Sequence, residues 1–164
     1  MNKVLILDPA KCMGCRLCQT ACSIVKAEEA GIYKSRIKNI RFPDEYFFCP
    51  SVCLQCESPA CALVCPTGAL YKDLDTGVVE LDKEKCVGCK MCLVSCPFGA
   101  IHMVDLEIIK CDLCGGDPMC VKFCRPEALT YGEVEDIGAG KRVVVAEKIK
   151  EIAAEAPEES KITM

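Results

Sequence analysis

Alternation of apolar and polar positions is short-ranged along this chain, so it predicts small strands and short helices rather than long amphipathic elements. In LYKDLDTGVVELD, residues 70–82, Leu and Val alternate with polar residues on both sides of Asp75-Thr76-Gly77, which is a hairpin pattern. AIHMVDLEIIKCD is a weaker candidate of the same kind, and LTYGEVEDI and KRVVVA predict further strands around Gly138-Ala139-Gly140. His102 falls on one of these alternating stretches and reads as a solvated strand residue. SIVKAEEAG, residues 23–31, predicts a short helix ending at Gly31, and YKSRIKNIRF after it alternates as an exposed strand. VVVAEKIKEIAAEA sets Val145, Ile149, Ile152 and Ala156 along one stripe and predicts a C-terminal helix, with PEESKITM as a frayed tail. No window approaches 18 consecutive apolar residues, so no membrane span is expected.

Such elements need something besides an apolar core to hold them. The hydrophobic fraction of 51% includes 17 cysteines, and without them it falls to about 41%, with no Trp, five Phe and four Tyr in 164 residues. Disulfides are one candidate. MNKVLILDPAKC, however, offers only Val4 to Leu7 between Lys3 and Asp8, too short for a signal-peptide core, and it lacks twin arginines and a small-residue cleavage site. The expected compartment is the cytoplasm, where clustered cysteines bind metal more often than they pair.

The cysteines repeat. Cys12, Cys15, Cys18 and Cys22 follow C-x2-C-x2-C-x3-C; Cys53, Cys56, Cys61 and Cys65 follow C-x2-C-x4-C-x3-C-P. Cys86, Cys89, Cys92 and Cys96 follow C-x2-C-x2-C-x3-C-P, and Cys111, Cys114, Cys120 and Cys124 follow C-x2-C-x5-C-x3-C. Every tetrad opens with x2 and closes with x3; only the middle spacing varies. CPTGAL, CPFGAI and CRPEAL repeat after the last three, with Glu127 marking the degenerate copy. In the x5 loop, Gly115, Gly116 and Pro118 supply the extra turn.

A tight x2 loop lets two or three thiolates converge on corners of one cube, with Gly14 and Gly88 letting backbone N–H groups turn toward sulfur. The x3 step lies on a helical turn that directs the fourth cysteine away; in bacterial two-cluster ferredoxins this cysteine ligates the other cluster of the pair. Structural zinc sites use two C-x2-4-C pairs across a spacer instead, and His102 is the sole histidine. The reading is therefore four 4Fe-4S clusters on 16 cysteines, with Cys49, after Phe47 and Phe48, a buried non-ligand thiol.

Charge is uneven. Residues 1–42 carry eight Lys or Arg against three acidic residues, while the whole chain has a net charge of −4. Four oxidised clusters at about −2 each would take that to about −12. A nucleic-acid partner is not expected; the basic N-terminal part either steers an acidic protein or screens its own cluster. The insertion 23–52 is either a covering hairpin over a cluster or a partner-docking surface. No G-x-G-x-x-G, P-loop, flavin signature or acid–base constellation accompanies the tetrads, so the chain is read as an electron carrier and not itself an enzyme.

Over residues 3–130 this order of tetrads, with a long insertion after the first, resembles the four-cluster ferredoxin-like subunits of molybdenum and tungsten oxidoreductases. These are the iron–sulfur subunits of the dimethyl sulfoxide reductase, formate dehydrogenase and formate hydrogenlyase type, and the small subunits accompanying tungsten aldehyde oxidoreductases. The resemblance implies an α+β fold of two bacterial-ferredoxin-like modules, one inserted in the other. The outer module is expected over 1–52 and 100–142, the inner over 53–99, and the C-terminal helix and tail over 143–164. It implies one cluster on Cys12, Cys15, Cys18 and Cys124, and a second on Cys22, Cys111, Cys114 and Cys120. The inner module would hold a third on Cys53, Cys56, Cys61 and Cys96, and a fourth on Cys65, Cys86, Cys89 and Cys92. Cys22 and Cys124 depart from the family pattern, being followed by Ser23 and Arg125 instead of proline. The implied partners are a large pterin-containing catalytic subunit and a flavin/NAD-binding or ferredoxin redox protein, with self-association a further expectation. A freestanding polyferredoxin serving several oxidoreductases is the alternative function; a redox sensor or structural iron–sulfur protein is a third.

Overall fold

The computed structural model describes residues 3–133 and, beyond them, Ala146 alone. The expected C-terminal helix and tail, and the strand KRVVVA, otherwise lie outside the described residues. Within them the architecture is small and mixed: four two-stranded antiparallel ladders and four short helices, one helix for each tetrad.

The ladder of β1 (Lys3–Leu7) and β8 (Leu129–Glu133) ties the two ends of this region together, Leu7 opposite Leu129 and Lys3 opposite Glu133. It carries the first tetrad to the fourth. The run KVLIL is continuous rather than alternating, so its pattern does not reveal a strand. β2 (Lys38–Phe42) pairs with β3 (Phe47–Ser51), placing Ile40 opposite Cys49. β4 (Leu70–Lys72) and β5 (Val79–Leu81) form the hairpin expected from alternation. Its turn starts earlier than Asp75, because Asp73 Oδ1 accepts the N–H groups of Asp75 and Thr76 at 2.9 and 2.8 Å. β6 (Ile101–Val104) and β7 (Glu107–Lys110) form the second expected hairpin, His102 opposite Ile109.

The helices explain the constant x3 spacing. In α1 (Leu17–Ala27), α2 (Ala60–Leu63), α3 (Met91–Ser95) and α4 (Met119–Lys122), the second residue is the third cysteine of a tetrad: Cys18, Cys61, Cys92 and Cys120. The fourth cysteine follows four positions later, close to the same face. The approach to each helix explains the variable spacing. With x2, a left-handed residue precedes the helix, Arg16 at φ +62° or Lys90 at φ +65°; with x4 and x5, Pro59 and Pro118 do so in extended conformation.

The loops before the helices repeat too. Positions two and four after the first cysteine are left-handed in three tetrads: Gly14 and Arg16, Gly88 and Lys90, Leu113 and Gly115. Gly14 is constrained twice, since at φ +70° a side chain is strained and a Cβ would come within 2.6 Å of the Phe48 ring. Glu127, at φ +54°, adopts the conformation that Gly68 and Gly99 take in the sister copies. The substitution changes the residue but keeps the turn.

Three expectations are corrected. The first helix begins at Leu17, inside the tetrad, and stops at Ala27, where Glu28 turns left-handed at φ +54°, short of Gly31. The strand over 33–42 is confined to Lys38–Phe42, because buried Ser35 bonds the N–H and carbonyl of Ile37 and Lys38 Nζ bonds the carbonyls of Ile32 and Tyr33. His102 is half-buried, not solvated, and its Nε2 is enclosed with no hydrogen-bond partner among the described residues. Burial, with Lys38 nearby, pushes its pKa down.

Apolar packing falls into two clusters. One gathers Leu5, Ile37, Val52, Val78, Leu113 and Leu129 with Cys18, Cys22 and Cys120. The other gathers Leu70, Val79, Ile101 and Ile108 with Cys92, and Cys61, Cys65, Cys86 and Cys96 pack against it. The boundary expected at residues 99 and 100 falls before β6, whose Ile101 packs in this second cluster with Ile108 of β7. In both, cysteine stands where a larger protein would place leucine.

Candidate metal centres

Folding the loops and helices in this way brings cysteines from different tetrads around common cavities. One is lined by Cys22, Cys111, Cys114 and Cys120, with Leu5, Ile37, Val52 and Leu113 as apolar walls. A second is lined by Cys12, Cys15, Cys18 and Cys124, together with Asn39, Pro50 and Leu129. A third is lined by Cys65, Cys86, Cys89 and Cys92, with Leu70, Leu81 and Ile108. In each, three cysteines come from one tetrad and the remaining one from another. Of the last expected set, Cys61 lies within electrostatic range of Cys53 and Cys96, and the carbonyl of Cys56 is held at 2.8 Å by Lys72 Nζ. Cys49 lies apart from the three cavities, half-buried on β3 rather than buried.

Burial sets the protonation of the thiols. Cys111 and Cys120 are pushed up to about 12 and Cys18 to about 11, chiefly by desolvation, with neighbouring cysteines adding to the rise at Cys120 and Cys18. Loading these thiols with iron therefore releases protons and draws on the metal–sulfur bonds to stabilise the anion. Four soft sulfur donors around a small cavity suit an iron–sulfur cube. Among the described residues no three Cys, His, Asp or Glu side chains are arranged to hold a single metal ion.

Backbone amides reach the sulfur of the fourth cysteines. Arg36 N–H donates to Cys22 Sγ at 3.3 Å, Ala100 N–H to Cys96 Sγ at 3.4 Å, and Leu129 N–H to Cys124 Sγ at 3.3 Å. At Cys65 the rise that burial would cause is outweighed by hydrogen bonds from Leu70, Thr67 and Ala69, and its pKa is lowered. Of the two cysteines without a following proline, Cys124 accepts from its own loop, whereas Cys22 accepts from Arg36, fourteen residues on.

The insertion covers. Asn39 of β2 and Pro50 of β3 line the cavity of Cys12, Cys15, Cys18 and Cys124, and Asn39 Nδ2 donates to Cys12 Sγ at 3.6 Å. Its outer face still exposes Phe42, Tyr46 and Phe47, so covering does not use the whole hairpin.

Several supporting residues had no motif to announce them. Asp112 accepts from Lys26 Nζ at 2.8 Å and Arg36 Nη1 at 2.6 Å through Oδ2, and from Cys114 N–H at 3.0 Å through Oδ1. Burial alone would raise its pKa, but these two cations outweigh it and hold the carboxyl down to about 2. Gln55, left-handed at φ +49° and buried, donates to the Cys111 carbonyl and accepts from Val79 N–H and Lys110. Only Lys110 carried a signal, because period-two alternation puts it on the same face of β7 as buried Ile108.

Residues 44–134 match the 4Fe-4S dicluster domain, and residues 9–30 match a 4Fe-4S binding domain. The chain belongs to the 4Fe-4S dicluster family. It is an iron–sulfur protein of ferredoxin type. The putative electron transport protein YsaA of Escherichia coli is 36% identical over 151 residues, covering 84% of this chain and 94% of that one. Protein NrfC of Escherichia coli is 36% identical over 148 residues, covering 80% of this chain, which spans 66% of NrfC's length. The thiosulfate reductase electron transfer subunit PhsB of Salmonella typhi is 32% identical over 149 residues, covering 81% and 77%. Among the described residues no helix is long and apolar enough to cross a membrane.

Proposed function

We propose that the chain holds four 4Fe-4S clusters and relays electrons between a molybdenum- or tungsten-pterin catalytic subunit and a second redox partner. The observation that carries the reading is the lining of the three cavities, each by three cysteines of one tetrad and one of another. The ligand sets are those implied by the tetrad order: Cys12, Cys15, Cys18 and Cys124; Cys22, Cys111, Cys114 and Cys120; Cys53, Cys56, Cys61 and Cys96; Cys65, Cys86, Cys89 and Cys92. Cys49 is a non-ligand.

Each bound cluster would supply a one-electron site, at a potential set by hydrogen bonds to sulfur, exposure and charge. The chain's own residues do the rest. Cys18 and Cys22 on α1, like Cys120 and Cys124 at α4, tie two sites together through a single helix. Cys61 and Cys65 at α2, and Cys92 and Cys96 at α3, do the same for the inner pair. Amide donors at Cys22, Cys96 and Cys124 stabilise negative sulfur, while Leu5, Leu113, Leu70 and Ile108 supply apolar walls to the cavities. Four sites joined in this order make a path from one module to the other.

That PhsB is named an electron transfer subunit supports a role beside a catalytic subunit. Isolation from the native cell without oxygen is expected to bring down a large pterin-containing protein with this chain. A stable monomer that exchanges electrons equally well with unrelated reductases would contradict the subunit role and favour a freestanding polyferredoxin.

A further inference from the structure

Lys110 ends β7 with only 4% of its surface exposed. Its ammonium donates to Gln55 Oε1 at 3.2 Å, to the Cys111 carbonyl at 2.7 Å and to the Val79 carbonyl. All three acceptors are neutral. Among the described residues no carboxylate forms an ion pair with it. A buried cation satisfied only by dipoles is costly to keep, and such a charge persists where something negative lies close by.

The negative partners are sulfur. Lys110 directly precedes Cys111 and bonds its carbonyl, and through Gln55 Oε1 it is tied to the loop between Cys53 and Cys56. These belong to different sites: Cys53 and Cys56 to one proposed ligand set, and Cys111 to the cavity it lines with Cys22, Cys114 and Cys120. Gln55, between Cys53 and Cys56, bonds both Lys110 and the Cys111 carbonyl and fixes the joint.

We propose that Lys110 is a fixed cation shared by the two central iron–sulfur sites, raising the reduction potential of both so that an arriving electron is drawn to the joint between the two modules. The proposal rests on the four-cluster reading. Reduction of a bound cluster would add one negative charge to the site, and a cation beside it in a medium of low dielectric would stabilise the reduced form more than the oxidised one. The electron would come from a neighbouring bound cluster. It is a positioning residue in the electrostatic sense, touching backbone oxygens and not the iron.

The test uses the whole chain, purified without oxygen, with iron counted and each cluster's midpoint potential followed by electron paramagnetic resonance. In Lys110→Met, two of the four potentials should fall by at least a tenfold change in the reduction equilibrium, 59 mV for one electron. The other two should hold, and Lys110→Arg should restore the pair. Gln55→Glu, which neutralises the ammonium in place with little change of shape, should shift the same two. Unchanged potentials in both neutralised variants, or loss of iron in both, would overturn the tuning role. A wild-type chain carrying about eight irons or fewer would instead overturn the four-cluster reading on which it stands.

Discussion

Replacing Cys22 with serine is expected to remove about a quarter of the iron, and the site lost should be that of the fourth tetrad, not the first. Cys22 follows Cys18 closely in sequence, yet it faces the cavity of Cys111, Cys114 and Cys120. Double variants separate the two possibilities. Cys22→Ser combined with Cys120→Ser should lose no more iron than either alone, because both strike one site. Cys18→Ser combined with Cys22→Ser should lose about half, because Cys18 lines a different cavity. Iron analysis with electron paramagnetic resonance reads both. The opposite pattern would mean that each tetrad keeps its own cluster.

The second large effect is expected at Asp112. Lys26 and Arg36, only 18% and 17% exposed at the side chain, share its carboxylate, so Asp112→Asn leaves two partly buried cations without their counter-charge. Because Asp112 itself is 36% exposed, the full buried-pair penalty is discounted, and a loss of about 2 kcal/mol is expected. The pH dependence follows from the lowered pKa. A carboxyl held at about 2, against an ordinary 3.8, contributes stability above the ordinary value and loses it as pH falls toward 2. Thermal melts of the loaded protein should therefore show a constant gap between wild type and variant from pH 6 to pH 8. A gap that closes within that range would assign the effect to some other group.

Much of the site was legible because cysteine spacing is a local matter. C-x3-C is four positions along a helical turn, and all four helices begin one residue before such a cysteine. The x5 loop of CDLCGGDPMC also follows local rules, with Gly115 and Gly116 left-handed and Pro118 leading into α4. The two central hairpins showed in alternation for the same reason. What depended on distant partners did not show. β1 is a strand because β8 lies beside it, and His102 is half-buried although its own alternation favoured solvent. Asp112 and Gln55 are ordinary polar residues until folding sets them beside Arg36 and Lys110. The start of α1 was hidden by the tetrad itself, since loop and helix overlap within Cys12 to Cys22.

The central claim is that this one chain carries four cubes on 16 of its 17 cysteines. Counting iron per chain in a fully loaded sample, isolated and kept without oxygen, tests it most directly. The account predicts about 16 irons and a matching amount of acid-labile sulfide; about eight or fewer would contradict it.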